Sequence, residues 1–273
     1  MPKRARISGL NVYPVKSCRA IASQKLRLAT TGFERDRHWM IVRPGGRFVT
    51  QRELPRLALV TTAITRNGLR LSAPGMPDIE VAERTDGAAD PVVVWRDTCR
   101  AFDQGAAVSE WLTRFMGTDL KLVAFDPGEE RVIKPQWTGA IRALTQFADA
   151  FAILAISQAS LADLNTRLAK PLPMERFRPN IVLDGLEPYE EDSIAELTLD
   201  GVRLGLVKPC DRCIVTTTNQ STGVVEGDEP LRTLKTYRWS KELHGVVFGQ
   251  NAIVIEGAGR ELEVGDELDI VWR

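Results

Sequence analysis

Hydrophobic and polar residues alternate in short runs along most of the chain, and this pattern predicts β-strands. Residues 7–13 alternate in this way near the N-terminus, which would place apolar side chains on one face of a strand. Elsewhere, pairs of such runs surround glycine-containing turns, a hairpin signal because Gly and Asn tolerate positive φ. The paired runs are 38–42 with 47–51, 57–65 with 69–72, and 196–199 with 202–207, and the last runs are 252–256, 261–264 and 267–272. This spacing is typical of a barrel of short antiparallel strands.

Two segments have helical periodicity instead. Residues 106–116 place apolar side chains close to helical spacing, and Gly117 follows as a stop. Residues 160–168 repeat leucine on one stripe, with Ser160 and Asp163 at the spacing of a capping box. Both segments are interpreted as helices that pack against a core.

The regular pattern breaks near the middle of the chain. The run 126–130 and Pro135 interrupt any periodicity, which predicts a domain junction there. We therefore expect an α+β fold that is predominantly β, with a β-rich N-terminal domain over 1–125. A C-terminal β-barrel domain with a few helices would occupy 126–273. At 273 residues, the chain is long enough for each domain to bury its own core.

Composition and charge limit the kinds of binding partner and the cellular compartments that we expect for this protein. The 36 basic residues balance 36 acidic ones, so the basic excess of a nucleic-acid-binding protein is missing. The basic segment 1–6 is not followed by the apolar core of a signal peptide, and no apolar run approaches the length of a membrane span. Four cysteines are too few for a disulfide scaffold in a chain of this size. We expect a cytoplasmic protein that binds neither nucleic acid nor membranes.

Soft-ligand chemistry is concentrated at Cys210-Asp211-Arg212-Cys213. A thiolate can bind a soft transition metal, and cationic neighbours favour the thiolate over the thiol. A structural zinc half-site or a redox dithiol is the alternative. Zinc needs about four ligands, and the sequence has no second Cys-x-x-Cys and only two histidines. A thioredoxin-like pair normally lies beside a βαβ pattern, which we do not see. The residues favour a metal thiolate but do not distinguish Cys210 from Cys213.

Five motifs follow one another in an order that is similar to MOSC proteins. They are Tyr13-Pro14-Val15-Lys16-Ser17-Cys18, Glu34-Arg35-Asp36-Arg37-His38-Trp39, Phe177-Arg178-Pro179-Asn180-Ile181-Val182, Cys210-Asp211-Arg212-Cys213 and Phe248-Gly249-Gln250-Asn251. The chain resembles the molybdenum-cofactor proteins with an N-terminal β-barrel MOSC segment, especially the mitochondrial amidoxime reducing component and its bacterial relatives. The resemblance covers almost the whole chain.

The resemblance implies a molybdenum–molybdopterin cofactor, with Cys213 as the metal ligand and Cys210 as a companion that does not bind molybdenum. Because the pterin phosphate and the sulfur-rich metal centre are negative, the pocket should present cations and hydrogen-bond donors. By resemblance, Asp211 also lines the cofactor site. The sequence does not identify a general acid, and Asp211 or a water molecule is the candidate. Asp149 is as readily a turn aspartate as a binding residue. The cofactor-binding residues implied are Lys16, Ser17, Arg37, Asp149, Arg178, Asn180, Arg212 and Asn251.

The activity implied is reduction of N-hydroxylated compounds such as amidoximes, hydroxylamines and N-hydroxylated bases. Electrons would come from a separate ferredoxin, cytochrome or flavoprotein, because the sequence has no iron–sulfur motif and no dinucleotide-binding glycine pattern. One alternative is a non-catalytic carrier of molybdenum cofactor or sulfur, since MOSC domains also form part of molybdenum cofactor sulfurases. Pyridoxal phosphate binding is expected only because it is associated with such domains, and no residue of this sequence indicates it. A metal-free thiol protein is the second alternative.

Other residues with chemical potential are given structural interpretations. His38 titrates near neutral pH, but we interpret it as a partly buried strand histidine. The tryptophans at 39, 95, 111 and 137 are interpreted as packing residues, because no basic aromatic stripe accompanies them.

Overall fold

The computed structural model describes residues 3–273 and is built mainly of short strands. The first eleven strands are β1 (Arg4–Val12), β2 (Ile21–Ser23), β3 (Lys25–Ala29), β4 (Gly32–Phe33), β5 (Trp39–Val42), β6 (Thr61–Thr65), β7 (Gly68–Ser72), β8 (Ile79–Ala82), β9 (Asp90–Val94), β10 (Asp97–Asp103) and β11 (Lys121–Phe125). The next ten are β12 (Arg131–Val132), β13 (Leu144–Thr145), β14 (Ile153–Ser157), β15 (Ile181–Asp184), β16 (Ile194–Leu199), β17 (Val202–Asp211), β18 (Trp239–Ser240), β19 (Gly245–Glu256), β20 (Glu261–Glu263) and β21 (Glu267–Trp272). The α-helices are α1 (Ala106–Met116), α2 (Pro135–Thr138), α3 (Gln158–Thr166) and α4 (Leu231–Lys235). The predicted fold class, α+β and predominantly β, is confirmed.

Seven strands close into a barrel in the order β14-β15-β1-β21-β16-β17-β19, with β19 pairing back onto β14. Closure leaves no unpaired edge strand in the ring. Every neighbouring pair is antiparallel except β14 and β15, because an odd number of strands cannot alternate direction all the way round. In β1 the buried side chains of Ala5, Ile7 and Leu10 point into the barrel core, while the alternate positions are more exposed.

The first strand of the chain belongs to the C-terminal barrel. β1 pairs with β15 on one side and with β21 on the other. The predicted junction between 125 and 126 falls where β11 ends and stays a prediction. Whatever its position, the barrel is complete only when the N-terminal residues are present.

The N-terminal half has two small sheets, β5-β11-β10-β9 and β6-β7-β8, which α1 covers. The helix predicted at 106–116 is confirmed, since α1 has those bounds and buries Trp111, Leu112 and Phe115. Gly117 ends it with a φ of 72°, and its N–H donates to the Thr113 carbonyl at 2.8 Å. A left-handed residue of this kind is the common end of a helix and favours glycine.

Two of the three predicted hairpins are confirmed, except that residues 57–59 of the predicted strand 57–65 lie in a short 3-10 helix (Pro55–Leu59). β6 and β7 pair through Thr65 and Gly68, and β16 pairs with β17 through Leu199 and Val202. The strand predicted at 47–51 is wrong, because this segment makes only isolated bridges after the turn at 43–46. β11 pairs with one edge of β5, and at the other edge the segment makes only the Val42–Phe48 bridge before a turn at residues 51–53.

The predicted start of the second long helix is also wrong. α3 begins at Gln158, and its N-cap is Ser157, whose hydroxyl accepts the Ser160 N–H at 3.0 Å. The Ser160 hydroxyl is engaged elsewhere, donating to the buried carboxylate of Glu191 at 2.7 Å. Within residues 3–273, none of the helices combines the length and the hydrophobicity of a membrane span.

Candidate functional site

A cavity of about 590 Å³ opens at one end of the barrel, where the two halves of the chain meet. All ten predicted site residues line it. The N-terminal half contributes the residues after β1 and before β5, and the C-terminal half contributes the segment after β13, the entry to β15, the end of β17 and the middle of β19. The ten residues are Lys16, Ser17, Arg37, Asp149, Arg178, Asn180, Asp211, Arg212, Cys213 and Asn251.

The cavity wall is strongly cationic. Six basic side chains line it against two carboxylates, Asp149 and Asp211. A net of four positive charges at one cavity contrasts with the zero net charge of the whole chain. Such a wall attracts an anion, and guanidinium groups suit phosphate oxygens in particular.

Backbone strain is concentrated at the same cavity. Within residues 3–273, seven residues other than glycine have positive φ, and four of them line the cavity. They are Ser17 (68°), Arg37 (48°), Trp95 (59°) and Arg178 (57°). Side chains other than glycine adopt this region at a free-energy cost, so the surrounding structure must impose it, and such residues cluster at functional sites.

Lys16 is buried and lines the cavity. Its ammonium donates to the Phe147 carbonyl at 2.7 Å and pairs with the carboxylate of Asp149. Burial lowers the pKa of Lys16. Burial also raises the pKa of Asp149, but the charges of Lys16 and Arg52 outweigh it and hold that pKa below its usual range. Asp149 is half-exposed to the cavity, with 52% of its side chain accessible.

Asn180 is buried, and protein groups occupy both ends of its amide. The nitrogen donates to the Asn11 carbonyl and to Asp36 Oδ1, each at 3.1 Å. The oxygen accepts from Arg37 Nη1 at 2.9 Å and from the Leu154 N–H at 3.2 Å. With its hydrogen bonds used in this way, Asn180 acts on the cavity by holding the Arg37 guanidinium in place.

Tyr13 organises two of the arginines. The guanidinium carbons of Arg37 and Arg178 lie 4.2 and 4.3 Å from the centroid of its ring. Its hydroxyl donates to the Pro179 carbonyl at 3.0 Å, and burial raises its pKa to about 12. A neutral ring between two guanidinium groups limits their repulsion and fixes their direction.

The Cys213 thiol lies beside a cation that the sequence analysis missed. Arg52 Nη2 is 3.0 Å from Cys213 Sγ and 3.5 Å from Asp149 Oδ2. The Arg52 guanidinium carbon also lies 4.6 Å from the ring centroid of Trp95. The interpretation of Trp95 as a packing residue is therefore wrong, since it is 46% exposed and lines the cavity. No local signal marks Arg52, because its contact with Cys213 spans 161 positions.

The other cysteine has a different cationic neighbour. Arg212 Nη1 donates to Cys210 Sγ at 3.0 Å, and its Nη2 donates to the Phe177 carbonyl at 2.7 Å. Burial nevertheless raises the pKa of Cys210. Arg212 Nε is buried without a hydrogen-bond partner among the residues described. Asp211 is 56% exposed and pairs with Lys208, a further cavity cation that the sequence analysis did not assign to the site.

The two remaining predicted residues contribute mainly through position. The Ser17 carbonyl accepts from Gln51 Nε2 at 2.7 Å, and Ser17 lines the cavity. Asn251 lies where β19 passes between β14 and β17, and its side-chain nitrogen is 3.5 Å from the Pro209 carbonyl.

His38 lies behind the cavity wall and not among its lining residues. It is buried, directly before β5, with Nε2 at 2.5 Å from Glu83 Oε1 and Nδ1 at 3.2 Å from Gln146 Oε1. Hydrogen bonds from His38 and Arg35 lower the pKa of Glu83 to about 2. The structural interpretation of His38 agrees with this placement.

These features fit an anionic cofactor that carries a soft metal. The cations and the orphaned Arg212 Nε can meet phosphate oxygens, and the half-buried thiols of Cys210 and Cys213 both line the cavity as soft ligands. Among residues 3–273, no group of three or more His, Cys, Asp or Glu side chains is arranged to hold a metal ion.

Comparisons with known proteins identify relatives of both halves. The sequence matches the family model of the MOSC N-terminal beta barrel domain over residues 4–119 and that of the MOSC domain over 144–269. It is 36% identical to mitochondrial amidoxime reducing component 2 of Rattus norvegicus, over 85% of this chain and 72% of the relative. It is also 36% identical to mitochondrial amidoxime-reducing component 1 of Homo sapiens, over 95% of this chain and 81% of the relative. Among solved structures, YiiM from Geobacillus stearothermophilus aligns with a TM-score of 0.34 and 16% identity, over 68% of this chain and 72% of that chain.

Proposed function

The chain belongs to the MOSC domain family that includes the mitochondrial amidoxime reducing components, and from this premise we propose that it reduces N-hydroxylated compounds with a bound molybdenum cofactor. Amidoximes, hydroxylamines and N-hydroxylated bases are the proposed substrates. The observation that carries the proposal is the convergence of Cys213 and six cationic side chains on one cavity.

The proposed binding mode assigns a part of the cofactor to each side of the cavity. Arg37 and Arg178, aligned on Tyr13, would bind the pterin phosphate together with Lys16. Cys213 would ligate molybdenum. When bound, a molybdenum–molybdopterin supplies a centre for two-electron chemistry that removes oxygen from nitrogen.

The proposed reaction converts N–OH into N–H and water, and consumes two electrons and two protons. Asp211 is the proposed proton relay, because its carboxylate is exposed at the cavity and within reach of solvent. Lys208, paired with that carboxylate, would hold it beside Cys213.

We propose a separate ferredoxin, cytochrome or flavoprotein as the electron donor. The sequence contains no iron–sulfur motif and no dinucleotide-binding glycine pattern, and the relatives are named as components of a reducing activity.

The deciding experiment compares molybdenum content and turnover of benzamidoxime by reduced viologen in the wild type, Cys213→Ser and Cys210→Ser. We expect molybdenum and turnover in the wild type, loss of both in Cys213→Ser, and retained molybdenum in Cys210→Ser. Bound molybdenum without turnover would favour the carrier alternative. Four free thiols and no metal, after expression in a host that makes the cofactor, would favour the thiol-protein alternative.

A further inference from the structure

A second cavity, of about 610 Å³, adjoins the cavity that contains Cys213 and has a different character. Because of the cofactor proposed there, the cavity at Cys213 is called the cofactor cavity below. Its wall is largely apolar, and four of its members are Ile214, Val225, Leu231 and Trp239. We refer to it as the Trp239 groove. Its size falls within the range of about 300–1,000 Å³ that is usual for small-molecule sites.

The apolar side chains of the Trp239 groove are unusually accessible. Ile214 is 54% exposed, Val225 is 50% exposed and Trp239 is 48% exposed. They come from three separate elements: the turn after Cys213, the loop that bridges back to Thr218, and β18. Exposed hydrophobic groups gathered from separate elements into one concave surface indicate a binding site.

The groove opens directly beside the cofactor cavity. Arg52 and Arg212 line both cavities, and Arg52 contacts the Cys213 thiol at 3.0 Å. Ile214 follows Cys213 in the chain and lines the groove. A molecule in the groove would therefore extend toward the proposed metal position.

Two of the four cations that line the groove have carboxylate partners, Arg52 with Asp149 and Arg232 at the rim. Arg232 pairs with Glu229 at 2.7 Å and with Asp228 at 3.4 Å. The Lys235 ammonium lies 5.8 Å from the ring centroid of Trp239. The wall thus offers hydrocarbon and one indole face, which suits a flat, uncharged organic group.

We propose that the Trp239 groove binds the aromatic or hydrocarbon body of the N-hydroxylated substrate, so that the protein prefers arylamidoximes to hydroxylamine itself. This inference rests on the proposed function. It assigns substrate preference to residues outside the cofactor-binding set, with Trp239 as the main contact.

The kinetic test uses reduced viologen as the electron donor and compares benzamidoxime with hydroxylamine, which has no organic body. Trp239→Ala should raise the KM for benzamidoxime about tenfold, equivalent to about 1.4 kcal/mol, and leave kcat unchanged. In Trp239→Ala the KM for hydroxylamine should stay the same. Trp239→Phe, which keeps an aromatic ring, should retain most of the affinity for benzamidoxime. Trp272→Ala is the matched control, because Trp272 is a 42% exposed tryptophan that lines neither cavity.

A binding measurement separates this inference from the proposed function. Saturation-transfer NMR of benzamidoxime with the purified protein, without reductant, should show contact in the wild type and Trp272→Ala and weaker contact in Trp239→Ala. If the NMR measurement gives this result but neither substrate is turned over, the groove assignment is supported and the proposed reductase function is refuted. If Trp239→Ala changes the KM for both substrates equally, or changes neither KM, the groove assignment is overturned.

Discussion

The thiol of Cys213 is flanked by a cation from the other half of the chain. Arg52 reaches it from the segment after β5, where its guanidinium is held between the Asp149 carboxylate and the Trp95 ring. Hydrogen bonds from charged donors are stronger than neutral ones. Arg52 is thus the side chain that most directly sets the charge around the proposed metal ligand.

Replacing Arg52 should weaken retention of the cofactor. Loss of one charge-assisted hydrogen bond is worth about 1.5–3 kcal/mol, so Arg52→Ala should lower cofactor affinity about 10- to 100-fold. Molybdenum content after extensive dialysis measures this. Arg56→Ala is the matched control, because Arg56 lies over Phe115, 4.5 Å from the ring centroid, and outside the cofactor cavity. An Arg52→Ala protein that keeps as much molybdenum as the control would contradict the assignment.

At the scale of elements, a charged cluster ties the hairpin of β7 and β8 to the loop that presents Arg37. Glu83 follows β8 and contacts both Arg35 and His38 on that loop. The loop backbone has positive φ at Arg35 and at Arg37. The side-chain contacts stabilise this conformation and so help to orient the Arg37 guanidinium.

Glu83→Gln should lower stability at neutral pH but not in strong acid. The pKa of Glu83 is about 2 in the folded protein and about 4.3 in an unfolded chain. Since the folded pKa is the lower one, the unfolded state binds more protons between these values, and the stabilisation is lost as pH falls from about 4 to about 2. Urea unfolding at several pH values should show a wild-type advantage of about 2 kcal/mol at pH 7 that shrinks across this window.

The matched control for this experiment is Glu80→Gln, because Glu80 lies on β8 in an exposed pair with Arg70. Exposed pairs contribute about 0–1 kcal/mol, so the control should unfold like the wild type. If the difference in free energy of unfolding between wild type and Glu83→Gln persists unchanged at pH 2, stability is not linked to protonation of Glu83.

Closure of the barrel depends on a glycine in β19. Gly249 has a φ of 79°, and a Cβ there would lie 2.5 Å from Ile156 Cγ1 and 2.9 Å from the Ala155 carbonyl oxygen. We expect Gly249→Ala to destabilise the protein by about 3 kcal/mol or more, from backbone strain together with overpacking. Gly259→Ala is the control, because its φ of 88° is similar but nothing lies within 4 Å of a Cβ. It should cost about 1 kcal/mol, and equal melting temperatures for the two variants would be evidence against the clash.

At the scale of the whole molecule, the two halves are joined by more than the connecting peptide. β1 completes the C-terminal barrel, and residues from both halves line the cofactor cavity. The site therefore depends on both halves, since three of its six cations, Lys16, Arg37 and Arg52, come from the N-terminal half, and both cysteines come from the C-terminal half.

Cutting the connection should not separate the halves. A protease site inserted between Gly128 and Glu129 lies in an exposed turn, and after cleavage the fragments should elute together in size-exclusion chromatography. Barrel strands resist separation because their backbone hydrogen bonds would be left unpaired. Dissociation of the fragments in the absence of denaturant would show that β1 is not firmly held.

Much of the β-structure could be predicted because its determinants are local. Alternation at 196–199 and 202–207, and helical spacing at 106–116, depend only on neighbours along the chain. The prediction for 47–51 failed because this segment meets β5 only at the Val42–Phe48 bridge before the chain turns at 51–53, whereas β5 is paired along its length by β11 from far along the chain. Pairing is decided by distant segments, which no local pattern reports.

The candidate site divides in the same way. The sequence alone determined the fold class, the helix at 106–116 and ten of the residues that line the cavity, because periodicity and ordered motifs are properties of the chain itself. Only the tertiary structure decided that Arg52 and Trp95 join the site, that Asn180 is saturated by protein groups, and that an apolar groove opens beside Cys213. These features arise where segments far apart in sequence meet, and the energy of such contacts depends on distances that exist only in the folded protein.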